Sequence, residues 1–345
     1  MYHSWGSQNA WLRQIQSRNA LFVNRETGAR LGLSDGDWVW IETLRGKIER
    51  SLRSFAEDVV EPGHQRYMFA LEDTETGAVG GCCAIEAACG LDEPFYNYHV
   101  GLTVHASRAL DVYSRVPTLY LSNDLTGTSV LCSLYLSPDF RADGVGHLLS
   151  KSRFLFVAAF RERFADKIIA EMRGVSDDAG RSPFWEGLGR HFFSIEYDDA
   201  EHIVGQGNKA CIAELMPKHP IYTVLLPVEA QAIMGKVHPH TAPALRLLEQ
   251  EGFRYQGYID IFDGGPAVEA PTGEIRSIGR SRTLRVQIGE PPAGGSAHLI
   301  ANQNLPDFRC ALATLSPQRD KLTIAPELAQ ALQLANGDTA RIVAL

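Results

Sequence analysis

An α+β fold is predicted for this chain, with one mixed sheet flanked by helices and small β-rich segments at both ends. Three observations carry that prediction. Two strand-like runs are joined by a polar turn, a third run passes through two glycines into a long helical stretch, and strand and helix signals then alternate to about residue 265.

Taken in order, residues 1–46 read as an atypical β-rich segment. It has an extended run at Leu21-Phe-Val, a helical piece over 26–31, a Ser34-Asp-Gly-Asp turn and an extended run over 38–43. Residues 67–71 and 79–87 flank Asp73-Thr-Glu-Thr-Gly77, whose polar residues and glycine mark a hairpin turn. Residues 131–136 form the next strand. Over 147–164, Leu149, Phe156, Phe160 and Phe164 recur at spacings of seven, four and four, which puts one apolar helix face against a sheet. Residues 167–172 read as a strand beside it. Residues 241–251 are helical, Gly252 supplies a left-handed stop, and 253–262 form the last strand of the unit. The tract 267–282 is polar and carries Pro271 and Gly273, so a boundary near 270 separates a unit over 47–270 from a small β-rich domain over 271–345. The C-terminal end repeats the N-terminal layout at one constant offset: Leu322-Thr-Ile with Leu21-Phe-Val, Gly337-Asp338 with Gly36-Asp37, and Ile342 with Ile41.

At 345 residues and 45% hydrophobic, the chain is long enough to bury a substantial core. Its apolar runs fall short of a membrane span, and no basic segment followed by a hydrophobic stretch opens it, so a cytoplasmic location is expected. A formal charge of −8 argues against nucleic acid and anionic membrane as partners. The six cysteines lack metal-ligand spacing and several lie in apolar runs, as reduced, buried thiols do. His238 and His240 are separated by Pro239, and His191, His202 and His219 have no partnered spacing, so no metal is expected.

The sharpest chemical signal is Arg141-Ala-Asp-Gly144-Val-Gly146 between a strand and a helix. Glycines there let backbone N–H groups approach a phosphate, and the positive end of the helix favours its charge. The Arg-x-x-Gly-x-Gly form departs from dinucleotide and nucleoside triphosphate loops and points to the diphosphate of coenzyme A. Arg141, Gly144 and Gly146 are the expected cofactor-binding residues, with Lys151 and Arg153 adding positive charge nearby.

With the later block Ala244-Leu-Arg-Leu-Leu-Glu-Gln-Glu-Gly252-Phe253, this pattern resembles the acyl-CoA N-acyltransferase (GNAT) superfamily. That likeness implies that the strand over 131–136 splays from its neighbour and that the pantetheine arm lies in the gap. Many members place a proton-donating tyrosine where this chain has Leu248. Longer strings, among them Ser182-Pro-Phe-Trp-Glu-Gly-Leu-Gly, Ala213-Glu-Leu-Met-Pro-Lys-His-Pro and Tyr258-Ile-Asp-Ile-Phe-Asp-Gly-Gly-Pro, resemble arginine N-succinyltransferases from about residue 48 onward. The resemblance implies transfer of succinyl from succinyl-CoA, a co-substrate with no tightly bound cofactor, to the α-amino group of L-arginine at the entry of an arginine breakdown route. It places the proton donor on His238 of Val237-His-Pro and a succinyl-CoA contact on Leu134 of the Leu-Cys-x-Leu string. An imidazole near neutral pKa suits protonation of a leaving thiolate. Arg181, Arg190 and Lys218 are candidate partners for the succinyl carboxylate, and Glu171, Asp124 and Glu214 for the guanidinium.

The likeness breaks before residue 48. There the family's usual first strand, helix and glycine-rich acceptor-side loop give way to Leu31-Gly-Leu-Ser-Asp-Gly-Asp-Trp-Val-Trp and neighbouring strings, which resemble a fragment of a molybdopterin oxidoreductase C-terminal domain. Two readings therefore stand: an active succinyltransferase using His238, alone or as a subunit of an arginine/ornithine enzyme, and an inactive CoA-binding module. Arginine and succinyl-CoA are the expected small-molecule partners, and homo- and hetero-oligomers both stay open.

Overall fold

The computed structural model describes residues 42–345 except 93, 143, 178–179, 194, 198–199 and 201–214. The reading of residues 1–41 as β-rich therefore lies outside the described residues, as do Cys211, His202 and Glu214. Where the extended run over 38–43 was expected to end, helix α1 (Glu42–Ala56) has begun.

The described residues form two sheets. The larger has nine strands: β1 (Arg66–Glu72), β2 (Val79–Glu86), β3 (Asn97–Ser107), β4 (Val112–Ser122), β5 (Ser129–Leu136), β6 (Lys167–Glu171), β7 (Ile221–Tyr222), β8 (Arg254–Ile259) and β9 (Pro266–Pro271). Their order is β1-β2-β5-β6-β9-β8-β3-β4-β7. Only the β5–β6 pair in this sheet is parallel. The smaller sheet joins β10 (Arg282–Ile288), β11 (Ser296–Ala301), β12 (Cys310–Leu315), β13 (Lys321–Ile324) and β14 (Thr339–Ala344) in the order β12-β11-β14-β10-β13. The mixed α+β architecture is the predicted one.

The Asp73 turn forms as its residues dictate. Asp73 Oδ1 accepts the N–H groups of Glu75 and Thr76 at 2.9 Å, and Gly77 takes φ 70° to bring the chain back. Along β1, the N–H groups of Arg66 and Met68 donate to the hydroxyls of Ser54 and Ser51 on α1. A helix thus satisfies strand amides that would otherwise present an open edge. Phe55 of the same helix packs edge-on against Tyr67, Phe69 and Phe156.

The long helical stretch is shorter and more deeply set than its pattern implied. Helix α2 (Val145–Ala159) stops at Phe160, whose φ −132° and ψ 56° break the helix, and a single 3₁₀ turn at Arg161–Arg163 follows. Phe160 and Phe164 nevertheless join the same core as Phe154 and Phe156. Leu149, Phe154, Leu155, Phe156 and Val157 are all buried, because α2 has two apolar faces rather than one. Phe154, Phe156 and Val157 meet the large sheet, whereas Leu155 packs with Leu299, Ala301 and Val343 of the small one.

Two further differences are informative. Residues 266–271, read as the start of a polar tract, are a strand running between β6 and β8, so 253–262 does not end the sheet. Its two prolines occupy the first and last positions, where a missing N–H costs the ladder least. β3 and β4, each of eleven residues, also form a hairpin that no turn signal announced. Beyond Val100 and Thr118 this hairpin stands out from the sheet, with Leu102, Val104, Val112 and Tyr113 exposed. Among the described residues no helix is long and apolar enough to cross a membrane.

Candidate active site

The site is built on the parting of β5 and β6. These strands pair only at Ser129 with Ile168 and Val130 with Ile169. From Leu131 onward β5 follows β2 alone, while β6 continues against β9 through Glu171. A wedge therefore opens towards the C-terminal ends of both strands, with residues 131–136 along one wall.

That wall is kinked. Opposite Cys83 the register of β2 and β5 shifts, so Ser133 and Leu134 together face one residue. Ser133 takes φ 54°, a left-handed conformation rare for a residue bearing a side chain. Leu134 is half-buried within this bulge. Beyond Leu136 the chain turns through Pro138–Phe140 into the glycine cradle. Gly144 caps α2 at φ 83° and ψ −19°, and a Cβ there would lie 2.5 Å from Leu312 of the small sheet. Gly146 faces open space. The first amide of α2, that of Val145, donates to the Ala142 carbonyl at 3.2 Å, and the amides that follow it in the first turn have no carbonyl partners within the helix. Arg141 is exposed at the rim, its guanidinium 3.4 Å or more from the Leu136 carbonyl.

Lys151 and Arg153 do not serve the cradle, contrary to expectation. Lys151 Nζ lies 2.9 Å from Glu251 Oε1, with both side chains almost fully buried. Arg153 donates to the carbonyls of Ser150 and Ala84 inside the core. Their positive charges are satisfied within the protein; after the short helices α3 (Arg190–Phe193) and α4 (Val228–Ile233) comes α5 (Ala242–Glu251), which Lys151 links to α2. His147, in the first turn of α2, has its pKa lowered by burial and then by Lys151, which favours its neutral form.

The opposite wall carries His238. After β6 the chain runs through Arg173 and Gly174, and Val237 bridges Gly174 while the His238 N–H donates to the Arg173 carbonyl at 2.8 Å. The Met172 N–H donates to the carbonyl of Pro266, the first residue of β9, at 3.0 Å. Because successive strand residues point their polar groups to opposite edges, the Arg173 carbonyl faces the edge that β5 has vacated. His238 is thereby tied to the wedge side of β6, at the same end of the sheet as the cradle. Its Nδ1 accepts the His240 N–H at 3.2 Å, which in the neutral ring leaves the proton on Nε2. The His238 carbonyl accepts the N–H groups of Thr241 and Ala242 at the head of α5.

Asp263 fixes this arrangement from below, a role no motif announced. Its buried carboxylate accepts the Gly174 N–H at 2.6 Å and the Gly265 N–H at 2.7 Å. A Cβ on Gly174 would lie 2.6 Å from Asp263, so glycine is required for that approach. The Asp beside two glycines was readable as a turn, but not as the support of a strand 89 residues away.

Other candidates are engaged in structural pairs. Arg181 is held by Asp177, and Arg190 bridges Glu186 and Glu196. Glu171 accepts from Asn97 Nδ2 at 2.9 Å. Asp124 accepts from the Tyr258 hydroxyl at 2.9 Å, and hydrogen bonds from Ser122 and then Tyr258 hold its carboxyl below the usual range. Lys218 is exposed. Leu248, in the position of the superfamily tyrosine, is core. Among the described cysteines no thiolate is favoured: burial pushes Cys82 up to about 12 and Cys89 to about 11, and raises Cys83, Cys132 and Cys310 as well. Among the described residues no group of His, Cys, Asp or Glu gathers to hold a metal ion.

Known proteins match this chain over most of its length. A family model for the arginine N-succinyltransferase beta subunit matches residues 40–277, and one for the C-terminal domain of that subunit matches 280–344. A molydopterin dinucleotide binding domain model matches 1–77, overlapping the first part of the acyltransferase match. Arginine N-succinyltransferases from Salmonella schwarzengrund and Salmonella agona are each 53% identical over 304 residues, covering 88% of this chain and of each relative. The solved structure of arginine/ornithine succinyltransferase subunit AI from Pseudomonas aeruginosa superimposes with a TM-score of 0.81 at 42% identity, covering 88% of both chains. By its wedge, its two sheets and these matches, the chain belongs to the arginine N-succinyltransferase family.

Proposed function

We infer that this protein transfers the succinyl group of succinyl-CoA to the α-amino group of L-arginine. The observation that carries the reading is the wedge between β5 and β6, with a glycine cradle at the end of one wall and His238 on the other. Coenzyme A lies along the vacated edge of β5, its diphosphate against the first-turn amides of α2 and its thioester beside the Ser133–Leu134 bulge. Arg141, Gly144, Gly146 and Leu134 are the residues assigned to it.

The arginine ammonium gives up a proton, and the free amine attacks the thioester carbonyl. A backbone amide of the bulge stabilises the resulting oxyanion. Collapse of the tetrahedral intermediate breaks the carbon–sulfur bond, and His238, acting as the imidazolium, protonates the departing thiolate from Nε2 and is left as the neutral ring. The proton shed by the new amide nitrogen returns that ring to the imidazolium. Alignment of two substrates in one wedge supplies much of the acceleration.

The chain is divided into an acyltransferase unit ending near residue 270 and a small β-rich unit after it; the change of sheet between Pro271 and Arg282 supports this. We place the enzyme in the cytoplasm. The name of the Pseudomonas protein, a subunit, supports assembly with like or unlike chains.

Incubation of purified protein with succinyl-CoA and L-arginine, while free thiol is followed, tests the assignment. Arginine-dependent thiol release that disappears in His238→Ala is the expected result. Coenzyme A binding without release would instead identify an inactive binding module, and faster release with ornithine would reassign the acceptor.

A further inference from the structure

We propose that Arg66 is a positioning residue for the acyl transfer: through Ser133 it holds the β5 bulge in the conformation that aims a backbone amide at the thioester carbonyl. The inference rests on the assignment of the wedge as the acyl-transfer site.

Two contacts reach the bulge from the side of β2, and a third steadies one of them. Arg66, 5% exposed on β1, reaches past β2 and donates from Nη2 to Ser133 Oγ at 2.8 Å. Its Nη1 is paired with Glu86 at the end of β2, which fixes the other arm of the guanidinium. Cys82 Sγ donates to the Ser133 carbonyl at 3.3 Å. Both the side chain and the carbonyl of Ser133 are therefore held.

This holding has something to oppose. A serine at φ 54° is disfavoured against ordinary strand geometry, because its Cβ crowds the backbone in the left-handed region. Next to it, β6 has already diverged, so no second ladder keeps β5 in shape. An unsupported strand would relax towards regular pleating and turn the amides at 133 and 134 by a residue. Coenzyme contacts at the cradle lie after Leu136 and would survive that change. The clamp should therefore govern the chemical step and leave coenzyme binding alone.

Arg66→Met, Ser133→Gly and Ser133→Ala are compared with wild type by steady-state kinetics, with coenzyme A affinity from direct titration, below each variant's unfolding midpoint. Arg66→Met is expected to lower kcat at least tenfold while the succinyl-CoA KM and coenzyme A affinity stay within twofold. Glycine accepts positive φ without strain, so Ser133→Gly should keep more kcat than Ser133→Ala. Arg66→Met combined with Ser133→Gly should be no slower than the slower single variant. A kcat within twofold of wild type in Arg66→Met, or a parallel loss of coenzyme affinity, overturns the proposal. If Arg66→Met does not fold, the serine pair decides: equal kcat in Ser133→Gly, Ser133→Ala and wild type overturns it. Absence of arginine-dependent thiol release in wild type would instead defeat the functional assignment itself.

Discussion

At the scale of single residues, His238 and the two cradle glycines make separable predictions. His238→Ala removes the proton donor but leaves the Arg173 hydrogen bond, which is made by backbone. It should lower kcat by about 100-fold or more without weakening coenzyme A binding, as measured by thiol release and by titration. Gly144 and Gly146 differ in what a methyl group would meet. Gly144→Ala adds Cβ at a positive φ and against Leu312, so it should cost stability as well as coenzyme affinity. Gly146→Ala enters open space, so its unfolding midpoint should match wild type. A loss of coenzyme affinity in that variant alone would report the approach of a phosphate, and an unchanged affinity would remove Gly146 from the site. The thiols offer a check on burial: Cys82, Cys83 and Cys89 are buried and held protonated, so iodoacetamide at pH 8 should leave all three unmodified by mass spectrometry.

Between elements, α2 and α5 are joined by a buried ion pair. Lys151 on α2 meets Glu251 at the end of α5, and Glu251 Oε2 also accepts the Ser277 N–H at 2.7 Å from α6 (Arg276–Arg280). Lys151→Met leaves a carboxylate buried without its cation and should cost about 3–5 kcal/mol in denaturant unfolding, with much of that recovered in Lys151→Met combined with Glu251→Gln. A cost below 1 kcal/mol would show that the carboxylate finds other solvation. This pair also shows what could be read from the chain and what could not. Local signals were legible: the Asp73 turn, the left-handed Gly252 stop at φ 108°, and the strand, cradle and helix succession all form where their residues place them. Lys151 and Arg153 were misread because their proximity to the helix start says nothing of which way they point, and the partner of Lys151 lies 100 residues on. The placement of His238 likewise depends on pairing with Arg173, which is remote in sequence, so only likeness to a family singled it out. The β3–β4 hairpin escaped notice because Arg108-Ala-Leu-Asp111, where the chain turns back, holds no Gly, Pro or Asn to mark a tight turn, although Leu102, Val104 and Ala106 alternate with polar residues along β3.

For the molecule as a whole, α2 is the shared wall between two sheets, and this couples the small sheet to the cradle. Leu155 and Leu148 face Leu299, Ala301, Val343 and Leu312, while Phe308 reaches into the aromatic cluster around Phe156. The C-terminal unit therefore covers the back of the helix whose first turn is assigned to the coenzyme, and Leu312 abuts its capping glycine. A chain ending at residue 280 would leave that apolar face in water. It should bind a hydrophobic dye, unfold at lower denaturant and lose coenzyme affinity even though every assigned site residue is retained. A milder variant separates coverage from gross unfolding. Leu299→Ala opens a cavity at the seam and should cost about 2–5 kcal/mol, since Leu299 is fully buried there. If the two sheets unfold as one unit, that loss should appear equally in a probe of either sheet. Two resolved transitions, with coenzyme affinity unchanged in the shortened chain, would show instead that the acyltransferase unit stands without its neighbour.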